Sequence, residues 1–286
     1  MDLPEYVRLL KVPFGERFIN LALVSGDLTL LVDSGMSYSF EPYVLPGLKE
    51  MGLPPTKLDW LVNLHAHGDH IGGNALLFKA SEGHLRIACH KDDAPYIREP
   101  MRVARDVYGI SPDNPRFDSA VQSCGEAAPV HLELVDGVIF DLGRGVRLEV
   151  IAAPGHSSGN IALYDRASHT LIHGESIMGP PERTSDGRLT TPFSKQPVVY
   201  RRTLERLAKL PIEQLVFAHQ ETMGAAEAQE VIRASIEGVD VFFDALRRIA
   251  SSGVSFEEAY DTLNKQYRLP GPKPLQAIYD AVRAAL

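Results

Sequence analysis

The sequence predicts an α/β chain that ends in a helical extension. Three observations carry this. Short β-rich apolar runs fill the first two thirds of the chain, and several end in a polar or histidine-bearing turn. From Ala225 onward the apolar residues switch to helical spacing. Hydrophobic residues make up 44% and charged residues 23% of 286, enough apolar surface for a sizeable core.

In chain order, Phe18–Val24 and Leu28–Val32 flank Ser25-Gly26-Asp27 and read as a hairpin. Val32-Asp33-Ser34-Gly35 ends the second strand in a polar turn. Val44–Met51 reads as a short helix stopped by Gly52. Leu58–Leu64 is a short apolar run, read as a buried strand, and it leads into His65-Ala66-His67-Gly68-Asp69-His70. Ile71–Lys79 reads as a helix and Leu85–Ala88 as a strand. The stretch 91–129 holds Pro95, Pro100, Pro112, Pro115 and Pro129 and reads as helical pieces and loops placed to cover a site. Strands resume at His131–Leu134, Val138–Leu142 and Val146–Ala152, the last running into Pro154-Gly155-His156-Ser157-Ser158-Gly159. Ile161–Tyr164 and Thr170–His173 read as a strand pair, and Gly179–Pro197 as a loop. Val198–Leu210 is a helix, and Gln214–Ala218 is a strand ending at His219. Three helices close the chain: one from Ala225 to about Ala250, then Ser255–Gln266 and Lys273–Leu286.

Bulk properties narrow the function. A net charge of -8 argues against nucleic-acid partners, which need surplus Lys and Arg. No run of about 18 apolar residues occurs, so no spanning helix is expected. The first ten residues carry Asp2, Glu5 and Arg8 and do not read as a secretory signal. Cys89 and Cys124 fit no zinc spacing and are expected to be idle thiols. These features lead us to expect a cytoplasmic protein that acts on a small molecule, without nucleic acid or membrane. Val239, Val241, Phe242, Phe243 and Leu246 are the positions at which a homodimer would form, unless they pack within their own chain.

The chemistry concentrates at residues 65–70. Three histidines and an aspartate in six residues are the donors that zinc prefers. In an extended segment His65 and His67 point the same way, while Asp69 and His70 follow the turn at Gly68 and can face a neighbouring ion. Gly72 and Gly73 permit close backbone approach.

His65-x-His67-x-Asp69-His70 with Gly72-Gly73 resembles the signature of the metallo-β-lactamase superfamily. The resemblance continues in order through Val32-Asp33-Ser34-Gly35, Pro154-Gly155-His156-Ser157-Ser158-Gly159, Leu171-Ile172-His173-Gly174-Glu175 and Val216-Phe217-Ala218-His219, roughly residues 18 to 220. It implies an αββα sandwich, with residues 1–224 as a catalytic domain and 225–286 as a helical part packed on it. It also implies two divalent ions, Zn2+ first, with Mn2+ or Fe2+ as alternatives. His65, His67 and His156 would hold one ion; Asp69, His70 and His219 would hold the other. Asp69 would also orient the nucleophile. Asp33 and His173 would sit behind the ligands and orient them, or His173 would itself ligate.

The family's bridging aspartate falls on Glu175. Glutamate is one methylene longer, roughly 1.3 Å of extra reach. Either the backbone backs away and Glu175 bridges, or one metal position is altered. The implied function is a binuclear hydrolase that directs a metal-bound hydroxide at a lactone, ester or thioester, in the manner of acyl-homoserine lactonases and hydroxyacylglutathione hydrolases. The alternatives are β-lactam hydrolysis, a phosphodiesterase, a mononuclear iron oxygenase of a small thiol or persulfide, and a degenerate metal-binding module. Met178, Phe193, Tyr108 and Phe117 are candidate pocket walls, and Arg183, Arg188 and Lys195 are candidate anion contacts.

Overall fold

A computed structural model describes residues 3–193, 195–269 and 272–284. The ends of the first and last expected segments, Met1–Asp2 and Ala285–Leu286, and Ser194 of the 179–197 loop lie outside the described residues. The chain forms two compact units. The first comprises residues 1–153, 158–175 and 212–225; the second comprises 154–157, 176–211 and 226–286. The helical end therefore does not group alone, but with the 176–211 stretch.

The first unit contains two six-stranded sheets. One has the order β1 (Val7–Phe14), β2 (Arg17–Ser25), β3 (Thr29–Val32), β4 (Trp60–Asn63), β5 (Arg86–His90) and β6 (Leu132–Leu134). The other has β7 (Ile139–Gly143), β8 (Val146–Ala152), β9 (Ile161–Asp165), β10 (Thr170–His173), β12 (Gln214–Phe217) and β13 (Met223–Gly224), in the spatial order β13-β12-β10-β9-β8-β7. Mixed sheets flanked by helices are the α/β class that the sequence predicts.

Strand alternation builds the core. Ala22, Val24, Leu30, Val32 and Ala88 turn inward to meet Leu148, Val150, Leu163, Ile172 and Val216 of the facing sheet. Leu21, Leu23, Leu31, Ile87 and Cys89, one residue out of phase, turn to the other side. There they pack with Leu48 of α1 (Leu45–Glu50), Ile71 of α2 (Gly68–Ile71), Leu77 of α3 (Asn74–Ala80) and Ile97 of α4 (Ala94–Arg98). Because both faces of these strands are buried, the strands read as continuous apolar runs.

Two expectations need correction. β1 was not anticipated: Arg8, Lys11 and Pro13 interrupt its apolar pattern. It is an edge strand, where only part of one face must be apolar. The helix expected at Ile71–Lys79 starts later, as α3 at Asn74, and Ile71 instead closes the short α2. A Cβ on Gly72 would lie 2.5 Å from the Ser123 carbonyl oxygen, and one on Gly73 would lie 2.4 Å from that of Ser34, so backbones touch where the helix breaks. The 91–129 stretch is helical pieces and loops as predicted, with α4, a π-helical turn at Val103–Val107 and α5 (Phe117–Ser123). Cys89 and Cys124 are buried free thiols.

The second unit holds a two-stranded sheet, β11 (Leu189–Thr190) with β14 (Tyr267–Arg268). Its helices are α6 (Pro197–Leu207), α7 (Ala225–Ser251, from Ala226 onward), α8 (Phe256–Gln266) and α9 (Pro272–Ala284). The Ser255 hydroxyl accepts the Glu258 N–H and the Glu258 carboxylate accepts the Ser255 N–H, a reciprocal cap that starts α8. Val239, Phe242, Phe243 and Leu246 are buried, whereas Val241 is exposed. Phe242 meets Phe193 edge-to-face at 4.9 Å and Tyr267 at 5.1 Å. Phe242→Ala is expected to destabilise this unit by about 3–5 kcal/mol, read as a lowered midpoint of denaturant unfolding.

No helix among the described residues is long and apolar enough to cross a membrane.

Candidate metal centre

The site grows from strand ends. β4 finishes at Asn63, and the chain turns through His65 and His67 into α2, which carries Asp69 and His70. β10 and β12 run parallel with His173 opposite Phe217. Two residues further on, this register places Glu175 beside His219, 44 positions away in sequence but with Nε2 3.1 Å from Oε1. Gly174 passes close to both rings here: a Cβ would sit 3.3 Å from His65 Nδ1 and 3.5 Å from His70 Cε1.

Asp69, His70, Glu175 and His219 each present a donor atom, all within 4.8 Å of one another. The Glu175 carboxylate also faces the other half of the motif, with Oε2 3.4 Å from His70 Nε2 and 3.5 Å from His65 Nδ1. The rings of His65 and His67 lie 4.4 Å apart. His156 sits on the four-residue excursion 154–157, which groups with the second unit. The residues flanking that excursion are tied together: the Ala153 N–H donates to the Asn160 carbonyl, and Asn160 Nδ2 donates back to the Ala153 carbonyl. The next amide, that of Ile161, donates to the Leu64 carbonyl, one residue before His65.

The imidazoles of this cluster are oriented from behind. Asp33 is buried, accepts the Leu64 N–H through Oδ1 at 2.8 Å, and meets His70 Nδ1 through Oδ2 at 2.7 Å. The His70 carbonyl accepts from the Ser34 N–H, Ser34 Oγ and Asn63 Nδ2, and Asn63 pairs reciprocally with Asn74. His70 is therefore held at ring and backbone alike, and its Nε2 is directed at Asp69 and Glu175. His219 Nδ1 donates to the Phe18 carbonyl at 2.8 Å, which leaves Nε2 facing the same carboxylates. His173 is fully buried and joins no donor group among the described residues. It packs edge-on to Phe217 at 4.4 Å, and burial pushes its pKa down to about 4.

The electrostatics call for positive charge. Burial works against protonation of His70, yet Asp33, Glu175 and Asp69 raise it well above the ordinary imidazole value. His219 is likewise raised to about 9 against its burial, by hydrogen bonds to Asp69 and Glu175. Burial would raise Asp69, but His70 and His219 hold it below the usual carboxylate value. Two carboxylates and two imidazoles this close suit a divalent cation, which competes with protons for the same lone pairs.

Residues 14–219 match the metallo-beta-lactamase superfamily, about three quarters of the chain. The chain belongs to this superfamily. The hydroxyacylglutathione hydrolase of Methylococcus capsulatus is 28% identical over 230 residues, 77% of this chain and 73% of that one. The hydroxyacylglutathione hydrolase of Gloeobacter violaceus is 31% identical over 182 residues, 63% of this chain and 56% of that one. Across five relatives the matched stretch spans 54% to 73% of their length. Among solved structures, a metallo-beta-lactamase family protein from Thermus thermophilus is similar with a TM-score of 0.69 at 21% identity, covering 87% of this chain and 84% of that one. The rubredoxin oxygen:oxidoreductase of Desulfovibrio gigas shares the fold with a TM-score of 0.58 at 15% identity, over 84% and 61% of the two chains. Family and relatives together support a metal-dependent hydrolase.

Several contacts were not legible in the sequence. The Tyr108 hydroxyl accepts the Gly68 N–H at 2.7 Å, and its ring lies 5.6 Å from that of His67. This candidate wall therefore touches the loop that carries His67. Phe193 instead belongs to the aromatic cluster of the second unit, and Phe117 is buried. Arg188 is held by Asp186 of its own loop and by Asn264 of α8.

Proposed function

We propose that this chain hydrolyses a small carbonyl substrate, a thioester, lactone or ester, at a two-metal centre. The observation that carries this reading is the position of Glu175. Its Oε2 lies 3.5 Å from His65 Nδ1 and 3.4 Å from His70 Nε2, and its Oε1 lies 3.1 Å from His219 Nε2, so one carboxylate faces histidines assigned to both ion positions. In this reading His65, His67 and His156 would hold one ion, Asp69, His70 and His219 would hold the second, and the Glu175 carboxylate would serve both. Zinc suits these nitrogen and oxygen donors, with manganese and iron as alternatives. When bound, such a pair would lower the pKa of water to about 7 and polarise a carbonyl oxygen.

The chain's own groups do the rest. Asp69, held ionised, accepts a hydrogen bond from the attacking water and carries a proton toward the leaving group. Asp33 keeps His70 in the tautomer with Nε2 free to ligate. Thioesters come first in the substrate order because several relatives are hydroxyacylglutathione hydrolases by name.

Elemental analysis of protein purified without chelator, paired with a panel of acyl-glutathione thioesters, lactones and phosphodiesters, tests this. About two zinc, manganese or iron ions per chain with thioester or lactone turnover is expected. One iron with oxygen uptake on a small thiol or persulfide, or bound metal with no turnover on the panel, overturns it.

A further inference from the structure

We propose that Asp93 is a positioning residue that locks the His65–His67 loop against the loop that follows His156. The clamp is built from residues of the first unit alone, and its bearing on metal binding rests on the two-metal reading above.

Asp93 follows β5 and occupies the N-cap position of α4. An aspartate there ordinarily accepts the first free amides of its own helix. Here the side chain makes no capping bond. It reaches across 27 residues instead, and Oδ2 accepts the Ala66 N–H at 2.9 Å. Ala66 is the residue between the two histidines. Its methyl is packed in the helix-side core, so the hydrogen bond from its N–H to Asp93 restrains the peptide that links the two histidines.

The same carboxylate is pressed against Gly159, three residues after His156. A Cβ at Gly159 would lie 2.3 Å from Asp93 Cγ, 2.4 Å from Oδ1 and 2.8 Å from Oδ2. The φ of Gly159 does not lie in the left-handed region, so the glycine serves the close approach rather than an unusual backbone conformation. Asp93 is 2% exposed. A buried carboxylate is costly unless its hydrogen bonds repay the desolvation, and a bond spent on the ligand loop is not spent on the helix it could have capped. Gly159 completes the device by leaving the space the carboxylate needs.

The test compares wild type with Asp93→Ala, Asp93→Asn and Gly159→Ala. The first readout is hydrogen exchange of the Ala66 amide by NMR, which needs no metal. The second is zinc affinity by competition with a chromophoric chelator. Asp93→Ala should speed Ala66 exchange by at least about tenfold and weaken the tighter zinc by about 10- to 100-fold. Asp93→Asn keeps an acceptor oxygen and should retain both properties within a few-fold. Gly159→Ala should reproduce the alanine effect by displacing the carboxylate, and it carries the test if Asp93→Ala fails to fold. Ala66 exchange unchanged in both Asp93→Ala and Gly159→Ala overturns the clamp. Absence of zinc binding by wild type would instead overturn the two-metal reading, with Ala66 exchange still deciding the clamp.

Discussion

Replacing Glu175 by glutamine is expected to reduce bound metal from about two ions per chain to about one, and to lower hydrolysis by more than about a hundredfold. Glu175 is within 3.5 Å of nitrogens from both halves of the histidine motif, and no other carboxylate reaches both among the described contacts. Glutamine keeps the shape but loses the negative charge and one of two equivalent acceptor oxygens. Two cations held close together then repel without the anion between them. Glu175→Asp separates charge from reach: it restores the carboxylate but draws it back by roughly 1.3 Å. It should hold metal better than the glutamine variant and turn over more slowly than wild type. Elemental analysis and steady-state kinetics on the same preparations read both effects. Two ions and undiminished turnover in Glu175→Gln would remove the bridge from the mechanism.

Asp33→Asn is expected to leave the protein folded while weakening metal binding at the Asp69–His70–His219 position by about 10- to 100-fold. Asp33 meets His70 Nδ1 at 2.7 Å and the Leu64 N–H at 2.8 Å. An asparagine can still accept from Leu64, but it then turns its amide N–H toward Nδ1. His70 must accept there, which moves its proton to Nε2, the atom needed as a ligand. The backbone favours this variant over others: Asp33 has φ 61°, a conformation asparagine tolerates. Asp33→Ala loses more, because it orphans the Leu64 amide and the His70 ring inside the fold. Removing one partner of a buried charged pair costs about 3–5 kcal/mol. Urea unfolding separates the two variants, and zinc titration followed by imidazole NMR shows the tautomer directly. Native zinc affinity in Asp33→Asn would show that the tautomer is set elsewhere.

The chain by itself determined the local features. Strands show in the runs at 18–24, 28–32 and 58–64 because both strand faces are largely buried, so most side chains are apolar; the run at 146–152 shows instead by alternation, with Val146, Leu148 and Val150 buried and Arg147 exposed. The pairing of His65 with His67 was legible for a local reason: alternate residues of an extended segment share a direction, and the two rings lie 4.4 Å apart. Membership of the superfamily followed from the order of the motifs and agrees with the match over residues 14–219.

Tertiary structure decided what depends on distant residues meeting. The parallel register of β10 and β12 brings Glu175 to His219, and no periodicity in either segment encodes it. Asp33 reaches His70 across 37 positions, Asp93 reaches Ala66 across 27 and Tyr108 reaches Gly68 across 40. Each is one polar side chain in a stretch whose pattern describes only its own element. β1 was missed because an edge strand needs few apolar residues. The grouping of 176–211 with the C-terminal helices was equally hidden. Hydrophobic periodicity reports which face of an element is buried, whereas the partner of that face is chosen only when the chain folds.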